Sequence, residues 1–275
     1  MDRILLISYC VATLMIAIEF IHDYINKKGL YSLKDSLQTL LLLYTFAAIY
    51  FTVQFGVKFL DPFLNQYLLP VTEKGWIFWI SLTVIYDFLY YWMHRLEHTP
   101  FLWKISHIHH HSSRYLNILT GFRSSIFQPV YLLLFIAPLY LLGFRTPEIF
   151  FMVTMNKLYN CWVHQQHLKK VPLVDLLLNS PANHRVHHGR NEIYIDRNFA
   201  GIFMIWDKLF GTYQEETEKV LFGVSTDPEK LKFFQVYTLG FLRAIDSSAP
   251  KAMVAGSEMP TNPATTTRMS SNDET

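Results

Sequence analysis

Cysteine is almost missing from this sequence. There are two in 275 residues, Cys10 and Cys161, each inside an apolar stretch. That argues against a disulfide scaffold and against a thiolate zinc site. The CxxC pairs of an iron–sulfur protein and the GxGxxG loop of a dinucleotide fold are also missing. Charge is scarce. Asp, Glu, Lys and Arg make up 17% of the chain, against about 25% in soluble domains. A formal net charge of +2 gives no basic field for nucleic acid. What is present instead is apolar: 51% of the residues are hydrophobic and 16% are aromatic.

The apolar residues are concentrated. Residues 4–21, 36–57, 76–93 and 124–144 each approach the ~20 residues that cross a bilayer. Glu19 lies near the end of the first, and Asp87 is the single charge of the third. A fifth stretch, 149–163, is interrupted by Lys157. The start of the chain, with Asp2 and Arg3 and no small-residue cleavage pattern, reads as a membrane anchor rather than a signal peptide. Lys27, Lys28 and Lys34 separate the first two stretches. Lys58 and Lys74 are offset by Asp61 and Glu73. Arg95, Lys104, Arg114 and Arg123 follow the third, which is therefore expected to exit to the cytoplasm. Gly143 and Pro147 break the chain between 124–144 and 149–163. That hairpin returns the chain to the same side whether it crosses or only dips in. Trp76, Trp79, Tyr90, Tyr91 and Trp92 suit interface anchoring and packing.

From residue 168 the sequence is polar and mixed and reads as a cytoplasmic region lying on the membrane. Residues 246–275 are rich in Ser, Thr, Pro and Asn and read as a disordered tail. The expected architecture is all-α: a polytopic membrane helical bundle of four or five segments with a cytoplasm-facing, histidine-rich di-metal cap. It divides into N-terminal membrane helices (1–75), a catalytic domain (76–245) and the tail (246–275).

Eleven of the twelve histidines fall between 94 and 188. "HRLEH" supplies His94 and His98. "HIHHH" supplies His107, His110 and His111, with His109 as an extra. "HQQH" supplies His164 and His167, and "HRVHH" supplies His184, His187 and His188. On a helix, residues three and four apart share a face with Cβ atoms ~5–6 Å apart. Imidazoles so spaced can grip one metal ion, and imidazole suits Fe, Zn, Cu and Ni. Two HxxHH motifs, one HxxxH and one further histidine make nine ligands, too many for one ion and suited to two. Asp87 lies seven residues before His94, two helical turns away on the same face. A carboxylate inside a span is costly and usually functional. Asp87 is expected to orient a ligand imidazole, directly or through another residue. His167 is a further candidate ligand, and His22 is expected to be a solvated surface residue.

These motifs resemble the fatty acid hydroxylase/sterol desaturase superfamily over roughly residues 76–225. The resemblance rests on "DFLYYWMHRLEH", "LWKISHIHHHSS", the single histidine of "WVHQQH", "NSPANHRVHHGRN" and "IDRNFAGIFMIWDKLFGTYQEE". It implies two iron ions held by His94, His98, His107, His110, His111, His164, His184, His187 and His188. It implies O2-dependent hydroxylation of a C–H bond in a lipid alkyl chain. The enzyme would be an integral, multi-pass membrane protein of the endoplasmic reticulum in a eukaryote, or of the cytoplasmic membrane in a bacterium. Electrons must then come from outside the chain, from tetrahydrobiopterin or from a cytochrome b5/NAD(P)H-linked reductase. Arg95, Lys104, Arg114, Lys169, Lys170, Arg185 and Arg190 offer a basic face for an acidic redox partner. The rival in the same class is a sterol or fatty-acyl desaturase. The rival of another class is a metal-binding or transport protein. Transporters place ligands at the bilayer midplane on broken helices, whereas these histidines lie at or beyond the ends of the apolar stretches.

Overall fold

The computed structural model describes residues 2–67, 71 and 73–224. The expected tail, 246–275, lies outside the described residues. Among them the chain is helical, and its one β-type pairing is an isolated bridge between Leu178 and Phe203.

Each apolar stretch forms a helix. These are α1 (Asp2–Asn26), α2 (Leu33–Tyr67), α3 (Trp76–Glu97), α6 (Gln128–Leu141) and α7 (Thr146–Val163). Between α3 and α6 lie two short helices, α4 (Pro100–Leu102) and α5 (Ile108–His111), joined by a π-helical turn over Trp103–His107. After α7 come α8 (Pro172–Leu177), α9 (Pro181–His187) and α10 (Ile205–Leu209).

Two helices are long and apolar enough to cross a membrane by length and composition, over Leu6–Asn26 and Leu33–Phe63. The hairpin is shorter than its apolar stretches suggest. Ser124–Phe127 is spent on a turn, and Pro129 opens α6 in its first turn. The 14 residues of α6 rise about 21 Å at 1.5 Å each, less than the ~30 Å hydrocarbon core. Gly143, with φ of 91°, makes the bend that turns the chain into α7.

The helices pack along one seam. Phe78, Leu82 and Tyr86 recur every four residues on α3 and meet Leu132, Ile136 and Leu139 of α6. Ile149, Phe150 and Val153 of α7 complete this cluster. The opposite faces are apolar too. Leu6, Ile7, Leu14, Tyr44, Phe55 and Phe59 are all exposed. A soluble protein does not leave so many large apolar side chains outside, so these suit contact with lipid.

One buried ion pair ties the N-terminal helices to the segment before α6. Arg123, wholly buried, donates from Nη1 to Asp35 Oδ1 (2.9 Å) and Thr39 Oγ1 (3.1 Å) on α2. Its Nε donates to the His109 carbonyl (2.9 Å). Arg123, counted above with the cytoplasmic positive charges, is therefore a core residue. Its charge is drawn inward by Asp35, which sits in the first turn of α2 where an anion also suits the helix dipole.

Losing one member of such a pair costs about 3–5 kcal/mol, because the other charge stays buried alone. Arg123→Met is therefore expected to lower the unfolding temperature of the purified protein in detergent. The double change Asp35→Leu with Arg123→Met is expected to recover most of the loss.

Candidate metal centre

The four histidine motifs meet at one end of the helices. His94 is in the last turn of α3, and His98 caps its C-terminus. His107 closes the π turn, and His110 and His111 sit on α5. A π turn widens a helix by one residue, and such bulges favour functional sites. His164 caps α7. His184 and His187 lie on α9, and His188 caps it. That short helix is set by its own sequence. Ser180 at the N-cap accepts the Asn183 N–H (3.3 Å), and Pro181 supplies the first helical residue.

The imidazoles form two groups of four. His94, His98, His107 and His187 make one; His110, His164, His184 and His188 make the other. Within each group the ligand atoms lie within 4.8 Å of one another. His111, with His187 and His188, joins the two. In the first group the Nε2 atoms of His94 and His107 are 3.1 Å apart. His111 Nε2 is 3.0 Å from those of both His107 and His187. In the second, the pairs His110–His164, His164–His184 and His184–His188 are each 3.1 Å apart. Two ligands at right angles on bonds of ~2.1 Å would stand roughly 3 Å apart. The nitrogens therefore have the spacing of a coordination shell. His98 Nε2 is buried without a hydrogen-bond partner, as a free donor atom in such a shell would be.

The outward nitrogens show why these inward atoms are lone pairs. Nδ1–H of His94 donates to the Phe199 carbonyl (2.8 Å), and that of His187 to the Arg197 carbonyl (2.9 Å). His110 donates to the Arg123 carbonyl (3.0 Å), and His164 to that of Asn160. His98 Nδ1 meets Asp196 Oδ1 at 3.0 Å. His107 Nδ1 meets Glu97 Oε2 at 3.2 Å. With the proton held on Nδ1, Nε2 presents its lone pair to its neighbours. Such lone pairs repel unless a cation lies among them. Burial, reinforced by the neighbouring imidazoles, pushes His107, His111, His184, His187 and His188 well below the ordinary imidazole value. They stay neutral, the form a metal requires.

Two aspartates hold the loop that receives His94 and His187. Asp207 accepts from the backbone N–H of Phe199 and Ala200 (both 2.8 Å). Asp87 accepts from the N–H of Ile202 (2.7 Å) and Phe203 (3.0 Å), and from the Trp206 indole (2.9 Å). Asp87 therefore touches no imidazole; its carboxylate is taken up by the backbone of this loop and the Trp206 indole. Gly201 is placed by the same crowding, since a Cβ there would stand 2.7 Å from Asp87 Oδ1 and 2.6 Å from the Tyr90 ring.

Three other residues depart from the sequence reading. His167 is not with the nine. It lies 3.5 Å from Glu19 Oε1 and stacks on His22 at 4.8 Å, because α1 draws it away. His22 is in consequence half-buried rather than solvated. Arg185 is removed from the basic face, since it is buried against Glu216 (2.6 and 3.0 Å). The carboxylates that reach imidazoles of the nine, Glu97 and Asp196, were not singled out by the sequence. A signal existed for the first: Glu97 stands inside "HRLEH". Asp196 adopts a φ of 55°, which no motif announces.

A set of apolar helices carrying nine convergent imidazoles is a polyhistidine cluster that could hold metal, the pattern of a membrane metalloprotein. Residues 79–212 match the fatty acid hydroxylase family model, and over this segment the chain is a relative of that family. The alkylglycerol monooxygenase of Danio rerio is 39% identical over 171 residues, covering 62% of this chain and 37% of that protein. That of Homo sapiens is 38% identical over 167 residues, covering 58% and 37%. A Delta(7)-sterol 5(6)-desaturase of Eremothecium gossypii is 30% identical over 141 residues, covering 50% and 37%. The matched part thus spans little more than a third of each relative. No solved structure matches.

Asp87→Asn keeps the shape but turns one acceptor into a donor facing N–H groups. The variant is expected to retain its bound metal, measured by elemental analysis, while protease cleavage within 197–203 speeds up. Loss of metal in this variant would show that Asp87 does more than hold the loop.

Proposed function

We propose that this chain is a membrane-embedded, O2-dependent lipid monooxygenase. Its nine histidines hold two iron ions, and its reaction hydroxylates a C–H bond of a lipid alkyl chain. The observation that carries this reading is a cavity of about 150 Å3 between α1, α2, α3, α6 and α7. Leu43, Phe46, Ala47, Leu132 and Val153 line it, and it reaches His107 and His110. Those two belong to different groups of four, so one apolar cavity borders both. A lipid chain can enter it sideways from the bilayer and never meet water.

Bound iron would supply the activation of O2 and the electron chemistry that an unactivated C–H bond demands. The choice of iron over zinc rests on the family, since imidazole accepts either. The protein's part is to orient and to keep dry. Phe46, Tyr50 and Leu132 confine the chain. The Nδ1 partners hold the imidazoles against rotation, as outer partners of metal ligands do. Electrons come from outside, from tetrahydrobiopterin or a cytochrome b5/NAD(P)H-linked reductase. Arg114, Lys169 and Arg190 remain exposed for such a partner. The protein is multi-pass, with the centre on the cytoplasmic side of the endoplasmic reticulum or of a bacterial inner membrane. The convergence of all four motifs at the C-terminal ends of α3 and α7 supports that arrangement.

The monooxygenase reading is favoured over a desaturase because the monooxygenase relatives share higher identity over a longer stretch. A transport role fits less well, because the histidines stand at helix ends. If the attacked carbon bears an ether oxygen, the product is a hemiacetal that breaks to an aldehyde, so an ether lipid is among the substrates to seek.

The test is mass spectrometry of lipids from cells expressing the wild type or His187→Ala under isotopically heavy O2. A heavy oxygen in a lipid or aldehyde of the wild-type cells alone is expected, and the purified variant is expected to lose most of its iron while still inserting. A product lighter by two hydrogens without label would establish a desaturase. Equal turnover by His187→Ala would overturn the site.

A further inference from the structure

The lipid cavity contains a cation. Lys157, on α7, lines it together with Glu97, Arg123, Ser124 and Asn156. Its Nζ donates to Ser124 Oγ at 2.9 Å and lies 5.4 Å from the Phe46 ring and 6.0 Å from that of Phe122. Among the described residues no carboxylate comes within ion-pair distance of it. Glu97 shares the cavity, but its oxygens are already used. Oε1 accepts from Gln128 and Tyr131, and Oε2 faces His107.

An ammonium held by one hydroxyl and two ring faces has donor capacity to spare. So do its neighbours. Arg123 Nη2 and Asn156 Nδ2 are buried and have no hydrogen-bond partner. Arg123 is wholly buried and Asn156 nearly so. Buried donors left unpaired are costly, and the two residues that carry them line, with Lys157, one cavity whose single carboxylate is occupied. Such a wall suits an oxygen anion. The placement also fixes distance. Lys157 precedes His164 by seven residues of one helix, two turns on the same face, which is ~10 Å of rise.

We propose that Lys157 anchors the head group of the substrate. It takes the carboxylate or phosphate of a single-chain anionic amphiphile, with Arg123, Ser124 and Asn156 completing the pocket. The tail lies along the apolar wall, and the chain is attacked close to its head rather than at mid-length. This rests on the reading of the cavity as the lipid site, but it is tested by binding alone.

The full chain, purified in detergent with its metal in place and kept free of O2 and reductant, is titrated with palmitate, hexadecyl phosphate and hexadecanol by calorimetry. At least one of the two anions is expected to bind tenfold or more tightly than the alcohol, and the tighter one names the head group. Lys157→Met is expected to erase that preference while leaving hexadecanol binding unchanged; Lys157→Arg is expected to keep it. A wild type that binds the alcohol as tightly as both anions overturns the proposal, with no variant needed. So does a Lys157→Met protein that keeps the preference, or one that weakens all three probes alike. Failure of the monooxygenase reading would instead appear as unlabelled lipid with head-group binding intact.

Discussion

An imidazole offers a lone pair from one nitrogen only if the other nitrogen keeps the proton, and that proton must be placed. Most of the structure around the histidines serves this constraint. Six of the nine give Nδ1 an acceptor: four backbone carbonyls and two carboxylates. Each acceptor is then held in turn. The Phe199 carbonyl depends on a loop gripped by Asp207 and Asp87. The Arg123 carbonyl depends on a side chain anchored to Asp35 on α2. Helix α2, distant from the histidines in sequence, therefore bears on the second group of four through this ion pair.

The loop after the last histidine motif does more than its sequence suggests. Asp196 and Asn198 both adopt positive φ, which these short polar side chains tolerate better than most. Asn198 uses the bend to bridge the Asn183 carbonyl (3.1 Å) and the Gln214 backbone (2.8 Å to both N–H and carbonyl). The result is a loop whose Arg197 carbonyl faces His187 of α9 and whose Phe199 carbonyl faces His94 of α3. Gly201 lets it approach α3 closely enough for Asp87 to reach two N–H groups.

The positions of the helices were legible because long apolar runs impose them, and the histidine motifs were legible because helical spacing sorts side chains onto one face. The breaks between motifs were legible from Gly143 and Pro147. What the sequence hid was mostly tertiary. Asp87 was found as an unusual carboxylate, but its partners lie more than 110 residues away in the loop around Phe203. Arg123 looked like a topogenic charge because its counterion, Asp35, sits on a helix 88 residues earlier. His167 matched a motif spacing and was lost to Glu19. Glu97 was in plain view between two histidines, yet only the packing of His107 against α3 shows that its carboxylate faces an imidazole.

The distribution of the two groups along the chain has a consequence for biosynthesis. Before His184 emerges from the ribosome, the first group has three of its members, His94, His98 and His107, and the second has two, His110 and His164. The first quartet is complete only when residue 187 is made and the second only at 188, and the loop that orients His94 and His187 comes later still, at 197–203. A chain that stalls before residue 187 carries only part of each group of histidines.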